Sequence, residues 1–338
     1  MWSVLVAVIL HQPTQLPIQL GKHELVEESA AIGLLVDVAL APDGSIFVAD
    51  MANHDVIRFS PEGRLVWRSG REGKGPGEFS VPYRVAPLRD GGVLVYDFGI
   101  RELSWLNSDG TYLDRKRFPF DFSAVDKVIA LPTGEILVCG VTTWSAGASN
   151  GLHLFSADLR HLRSFGDLPA ARDRSVLLKW GAGGVTLGTN GEILYTPRIP
   201  YTIYRYDSSG EPRGEIRAPF HAEHTVDDAF VRQLSGSTMS TSVSDDGMLI
   251  PGSAHDIGSG WLLGTRRLGS NRWFDFFSPS GDLVSSIEAP EGVRYVIGID
   301  WERGVLWARG EASDAPALFR IPISSAPDRV RSGGSPHL

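Results

Sequence analysis

One cysteine, Cys139, stands in 338 residues, so no intramolecular disulfide can brace the fold and no cysteine pair offers metal-ligand spacing. It follows the strand-like run Glu135–Val138, where a thiol behaves as a small buried hydrophobe. Basic residues are also short, 32 Lys and Arg against 40 Asp and Glu for a net charge of -8. Nucleic-acid binding needs a basic face that displaces counterions from phosphates, so no nucleic-acid partner is expected, RNA included. Long apolar runs are missing too, and no stretch reaches the roughly 20 residues of a membrane-spanning helix.

The apolar stretch Trp2–Leu10 has about the length of a signal-peptide core. No Lys or Arg precedes it, and His11-Gln12-Pro13 stands where a small-residue cleavage site belongs. Residues 1–14 are read as a truncated or atypical export signal or as a disordered start. Export to the periplasm or the exterior is favoured over a cytoplasmic location.

Glycine is plentiful, 38 residues, with 21 prolines, as suits many short strands joined by tight turns. With 42% hydrophobic and 21% charged residues the chain can bury a large core. A turn signal between two apolar runs recurs at Asp43-Gly44, Asp90-Gly91, Thr133-Gly134, Asn190-Gly191, Asp246-Gly247 and Arg303-Gly304, spaced 47, 43, 57, 56 and 57 residues apart. Such a period marks a propeller, whose repeat is a four-stranded sheet too small to bury its own faces.

Residues 36–70 show the unit as four apolar runs separated by Asp43-Gly44, a loop, and Pro61-Glu62-Gly63. The second run, Ile46–Ala49, is continuously apolar, as fits a strand packed on both faces. The expected fold is all-β, a single six-bladed β-propeller over residues 15–325, with blades near 36–70, 82–118, 124–166, 183–217, 239–288 and 294–323. The second hairpin turn recurs at Gly63, Gly110, Asp158, Gly210 and Gly281 but is absent from the sixth unit. That leaves an open edge. Residues 16–20 are expected to pair with Leu318–Ile323 and close the last blade, with 326–338 a disordered tail and the protein a monomer.

The segment Ala49-Asp50-Met51-Ala52-Asn53-His54-Asp55-Val56, followed by the glycine-rich linker Gly70–Phe79, resembles the NHL-repeat propellers. The motifs are specific in blades one and two, and periodicity alone continues beyond them. The resemblance implies a six-bladed scaffold that serves binding modules, with His54 in a structural role.

In blades wired this way the short glycine turns share one face, and the linkers and second-to-third loops share the other. Long segments at 140–152, 166–180, 219–238 and 251–272 place the expected site on that second face, over the channel. The position seven before each turn glycine holds Asp37, Arg84, Lys127, Gly184 and Ser240, with Arg294 nearby in blade six. These charges either hold a ligand or pair with one another structurally. The ligand-binding candidates are Arg84, Asp97, Arg101, Lys179, Trp180, Tyr201 and Arg294, with Tyr83, Trp144 and Trp261 as further aromatics on that face. The expected ligand is a peptide, a glycan or a small anion.

Residues 225–236 read as a short capped helix, either a lid or a cover for the rim. Gly147-Ala148-Ser149-Asn150-Gly151 mimics a hydrolase elbow but falls between two strands, and Lys74 is followed by glycine, unlike a phosphate loop. The alternative function is a divalent-metal-dependent hydrolase or lyase of the lactonase kind on the same face. Candidate catalytic residues are His255 and Asp256, and candidate ligands for calcium or zinc are Asp37, Asp126, His221 and His224. The approach to blade one, Gly33-Leu34-Leu35-Val36-Asp37, departs from the Glu-Gly-Pro type that the gluconolactonase-like families carry.

Overall fold

At Asp43-Gly44 the chain reverses through a conformation that favours glycine. Gly44 has φ +84° and its N–H donates to Ala41 O at 3.0 Å, while Asp43 Oδ1 accepts from Ser45 N at 2.9 Å. A computed structural model describes residues 16–26, 32–142, 150–168, 182–198, 201–219, 249–268 and 270–325. Within them the hairpins assemble six antiparallel sheets, one per blade.

Blade one comprises Leu35–Leu40, Ile46–Asp50, Asp55–Phe59 and Leu65–Ser69, and blade two Pro82–Pro87, Val93–Asp97, Glu102–Leu106 and Tyr112–Arg117. Blade three follows as Phe122–Ala130, Ile136–Thr142, Asn150–Phe155 and His161–Asp167, and blade four as Gly183–Leu187, Ile193–Pro197, Thr202–Tyr206 and Pro212–Arg217. Blade five holds Leu249–Asp256, Leu262–Leu268, Asn271–Phe277 and Leu283–Glu288. The first strand of each blade lies innermost, beside the first strands of its neighbours, and blade six meets blade one.

Burial follows the radius. The second strands of blades one to four are buried along their whole length, as their unbroken apolar sequence requires, because neighbouring blades cover both faces. Cys139 belongs to one of them, fully buried, and burial pushes its thiol well above the usual range. Outer strands face solvent, as in Pro212–Arg217, where Ile216 alone is buried.

Blade five departs from the sequence reading. Leu249–Pro251 belong to its innermost strand rather than its second, and the first turn is Ile257–Trp261, where Trp261 N–H donates to Gly258 O at 3.0 Å. Asp246 and Gly247, taken as that turn, lie outside the described residues, as does Ser240. Two glycine turn signals stand in tandem here, and strand pairing rather than local chemistry selects between them.

Blade six contributes three strands of its own, Val293–Asp300, Val305–Ala312 and Ala315–Ser325. Its outer strand comes from the other end of the chain: Ile18–Leu20 pairs antiparallel with Ser325–Ile323, and Glu24–Leu25 continues along Arg320 and Phe319. The backbone contacts Gly21 N to Pro322 O at 2.7 Å and Val26 N to Leu318 O at 2.9 Å fill in the ladder. Ile18 packs in the cluster of Leu263, Phe274, Leu306 and Phe319. The closure expected from the missing sixth hairpin is therefore present, and its register reaches the end of the last strand.

Burying one such isoleucine contributes about 1.5–3 kcal/mol, and the ladder also covers an otherwise open edge. Deleting residues 1–22 is expected to abolish the cooperative melting transition or to lower Tm sharply, followed by circular dichroism. An unchanged transition would show that the ring does not depend on this strand.

Candidate functional site

The innermost strands carry polar side chains that bind one blade to another. Asp37 of blade one accepts Val85 N of blade two at 3.0 Å and Lys127 Nζ of blade three at 2.9 and 3.1 Å. Lys127 also donates to Val38 O at 2.8 Å. Asp126 accepts Ala182 N of blade four at 2.6 Å, and Arg309 of blade six donates to Val36 O at 3.1 Å. Gly184 completes this layer because a Cβ there would come within 2.8 Å of Gly252 O in blade five.

Asp37, Lys127, Asp126 and Arg309 therefore hold blades to one another. Asp37 and Asp126, offered as metal ligands, are engaged in these contacts, and Arg198 lies 3.8 Å from Asp126. Among the described residues no three His, Cys, Asp or Glu side chains converge as a metal-binding set. His221 and His224 lie outside the described residues, with Lys179, Trp180, Trp144 and the segment 225–236.

The remaining candidates are dispersed. Asp97 is fully buried and accepts backbone N–H groups of Ser80 at 2.6 Å, Val81 at 3.0 Å, Gly99 at 2.8 Å and Ile100 at 3.2 Å. Asp50 does the same in blade one, accepting Gly33 N at 2.8 Å and Leu34 N at 2.9 Å, so the pair caps equivalent loops. His54 accepts the left-handed φ of +54° and pairs through Nδ1 with Ser80 O at 2.8 Å, a structural role. Arg101 stands 3.3 Å from Asp121. Tyr201 is buried, its hydroxyl 3.2 Å from Asp275 Oδ2 and its ring edge-on to Phe277, so it packs between blades rather than forming an open platform. Arg84 lies 3.8 Å over the Tyr83 ring.

His255 and Asp256 take positions different from those expected. Both end an innermost strand and line a cavity of about 740 Å³ on the short-turn face, and Trp261 belongs to a turn of that face. His255 Nε2 pairs with Ser253 Oγ at 2.7 Å, whereas Asp256 Oδ2 accepts Thr189 N at 2.9 Å and Thr189 Oγ1 at 2.7 Å in blade four. The carboxylate thus engages Thr189 and not the imidazole. Strand alternation explains this, since adjacent residues point to opposite sides.

On the long-loop face, blades four to six enclose a smaller pocket of about 210 Å³ lined by Arg198, Arg266, Arg267, Arg272 and Arg294 with Tyr295 and Trp273. Only Arg294 among these is a site residue expected from sequence. Arg267 and Arg272 are directly opposed on neighbouring strands, a like-charge cross-strand pair that works against the sheet. Arg266 is held by Asp275 at 2.8 Å and lies 4.5 Å over the Trp273 ring, Arg272 donates to Ser270 O at 2.8 Å, and Arg294 donates to Glu311 at 3.0 Å. Partial burial works to raise the Tyr295 phenol pKa, yet Arg309, Arg198, Arg272 and Arg267 outweigh it and the value falls below the usual range. Desolvation, with Arg294 and Arg267 nearby, likewise lowers Arg272. The signal that could have found this site is the spacing Arg266-Arg267 to Arg272, which a hairpin turns into facing cations.

The solved structures that resemble this chain share its architecture. A putative exported protein from Bacteroides fragilis is 12% identical with a TM-score of 0.63, covering 91% of this chain and 96% of that one. A gluconolactonase from Xanthomonas campestris is 13% identical with a TM-score of 0.55, covering 90% of each chain. Virginiamycin B lyase from Staphylococcus aureus is 14% identical with a TM-score of 0.50, covering 85% of this chain and 80% of the other. At these identities the likeness shows the six-bladed fold alone. No protein-family model matches the chain, and no curated protein matches it in sequence.

Two buried imidazoles give the fold a pH dependence. Desolvation, helped by the Lys127 charge, lowers His255 to about 4, and desolvation lowers His153 to about 4. The unfolded chain therefore takes up these protons first as pH falls from the ordinary 6.5. The stability they contribute is complete above that value and is lost toward pH 4. Each is expected to remove about 2 kcal/mol between pH 7 and pH 5. Urea melts at the two pH values check this, and a His153→Gln/His255→Gln variant should show a flatter slope.

Proposed function

We propose that this NHL-like propeller is a ligand-binding module that holds an anionic group, a phosphate, sulfate or carboxylate, in the arginine pocket on its long-loop face. One observation carries the reading. Arg267 and Arg272 face each other across adjacent strands in a chain whose net charge is -8, and Arg294 and Arg198 add to the same pocket. Guanidinium groups bind oxyanions with two parallel hydrogen bonds, so an anion converts repulsion into a shared contact. The depressed Tyr295 phenol reports the same positive field. A pocket of about 210 Å³ suits the charged end of a ligand, with the Trp273 ring beside it for a sugar or aromatic portion. Of the peptide, glycan and small-anion ligands expected from sequence, the arrangement favours the anion or an anionic glycan.

The test separates binding from folding. Each guanidinium contact to an anion contributes about 1.5–3 kcal/mol, so Arg272→Leu and Arg294→Ala are each expected to weaken binding of inorganic phosphate, sulfate or citrate by roughly 10- to 100-fold, read by calorimetry. Arg272→Leu should at the same time leave Tm unchanged or raised, because it removes the opposed charge. Arg101→Ala should leave binding as it is. Absence of binding for all three anions at millimolar concentration, or an Arg272→Leu variant that binds normally, would overturn the reading.

A further inference from the structure

The cavity on the short-turn face, as its described residues line it, has a different chemistry. It has about 740 Å³ of space, within the usual range for small-molecule sites. Its wall in blade three follows the strand from Lys127 to Ala130, three steps or about 10 Å at 3.3 Å per residue. Leu40, Ile129, Ala130, Leu187, Ile297 and Ile299 line its walls, and Trp301 stands at the rim with 43% of its surface exposed. Polar side chains gather at the two ends. Arg89, Asp90 and Thr189 belong to the rim, and Lys127 and His255 form the floor.

The floor is positive. The Lys127 side chain is 23% exposed and, among the described residues, its carboxylate partner is Asp37; burial lowers the pKa of the ammonium, and the nearby Arg84 and Arg309 add to that against the pull of Asp37. His255 adds a neutral ring bonded to Ser253. An apolar shaft with the Lys127 ammonium at its base, and Arg84 and Arg309 near that ammonium, favours an anionic group there.

We propose that this cavity binds a hydrophobic monocarboxylate, with its hydrocarbon between the apolar walls and its carboxylate on the floor beside Lys127 and His255. The site is separate from the arginine pocket: it opens on the other face and, among the described residues, shares no lining residue with it. Binding requires no chemical step. The Lys127 ammonium faces Asp37 Oδ1, Asp37 Oδ2 and Val38 O, so the bound carboxylate takes over one of the two Asp37 contacts while the other and the bond to Val38 O remain.

The experiment titrates the full chain at pH 8 with dodecanoate and with methyl dodecanoate, both below their aggregation limits, by displacement of N-phenyl-1-naphthylamine fluorescence. Dodecanoate is expected to bind at least tenfold more tightly than the ester. Leu187→Trp, which fills the shaft, should weaken both ligands tenfold or more. Lys127→Met should bring the acid to the level of the ester; if that variant does not fold, the acid-to-ester ratio of the unaltered chain and the Leu187→Trp result decide the matter. An Arg272→Leu/Arg294→Ala variant should bind dodecanoate within twofold of the unaltered chain, so failure at one site is distinguishable from failure at the other. Equal binding of acid and ester, no binding of either, or insensitivity to Leu187→Trp would overturn the proposal.

Discussion

Every blade of this protein must lend both of its faces to neighbours, and that constraint governs the rest. Second strands such as Ile46–Asp50 and Val93–Asp97 are buried end to end, so no sheet could stand with one face in water. A row of such sheets has no stable terminus, and the row must bend into a ring. Ring closure then falls to the one sheet that lacks a fourth strand in sequence order, and Ile18–Leu20 supplies it from the other end of the chain. Joining the two ends in one sheet couples the first and last blades thermodynamically, so that neither can open without exposing the Phe319 and Leu306 core.

Closure by apolar packing alone would leave the blades free to slide, because hydrophobic contact has no direction. The axial polar contacts remove that freedom. Asp37 binds blade one to both blade two and blade three, Asp126 fixes blade three to blade four, and Thr189 with Asp256 joins blade four to blade five. Arg309 returns the ring from blade six to blade one. The Asp37–Lys127 pair joins blades one and three, which are not adjacent in the ring. Cations collect on its long-loop side in the arginine pocket, and apolar walls continue on its turn side.

Much of this was legible because the signals are local. A glycine forced to φ near +84° at Gly44 and again at Gly91 advertises a hairpin whatever the surroundings, and continuous apolar runs between such turns mark strands buried on both faces. The absent sixth hairpin foretold the closing strand by the same logic. Local signals failed where two competed, since Asp246-Gly247 and Gly258-Ser259-Gly260 are equally good turns and only the pairing of Leu249–Asp256 with Leu262–Leu268 decides. That shift carried His255, Asp256 and Trp261 from the expected face to the opposite one. The arginine pocket was hidden for another reason: Arg198, Arg267 and Arg294 come from three blades, and nothing near any of them in sequence reports the others. Asp50 and Asp97 end their second strands at matching places, which already points to loop capping, and each carboxylate accepts backbone N–H groups of the preceding linker.

The two cavities differ in what the fold yields to keep them. Arg267 and Arg272 stand directly opposite each other on the hairpin of blade five, and such like-charge neighbours disfavour a sheet unless other groups compensate them. The turn-face cavity requires no such concession. Its rim is set by six short turns closed by backbone hydrogen bonds such as Gly91 N to Leu88 O at 3.2 Å and Gly134 N to Leu131 O at 3.0 Å, so its width is fixed by the ring itself. A like-charge pair thus sets the long-loop pocket apart from the turn-face cavity, whose rim is built from short hairpin turns.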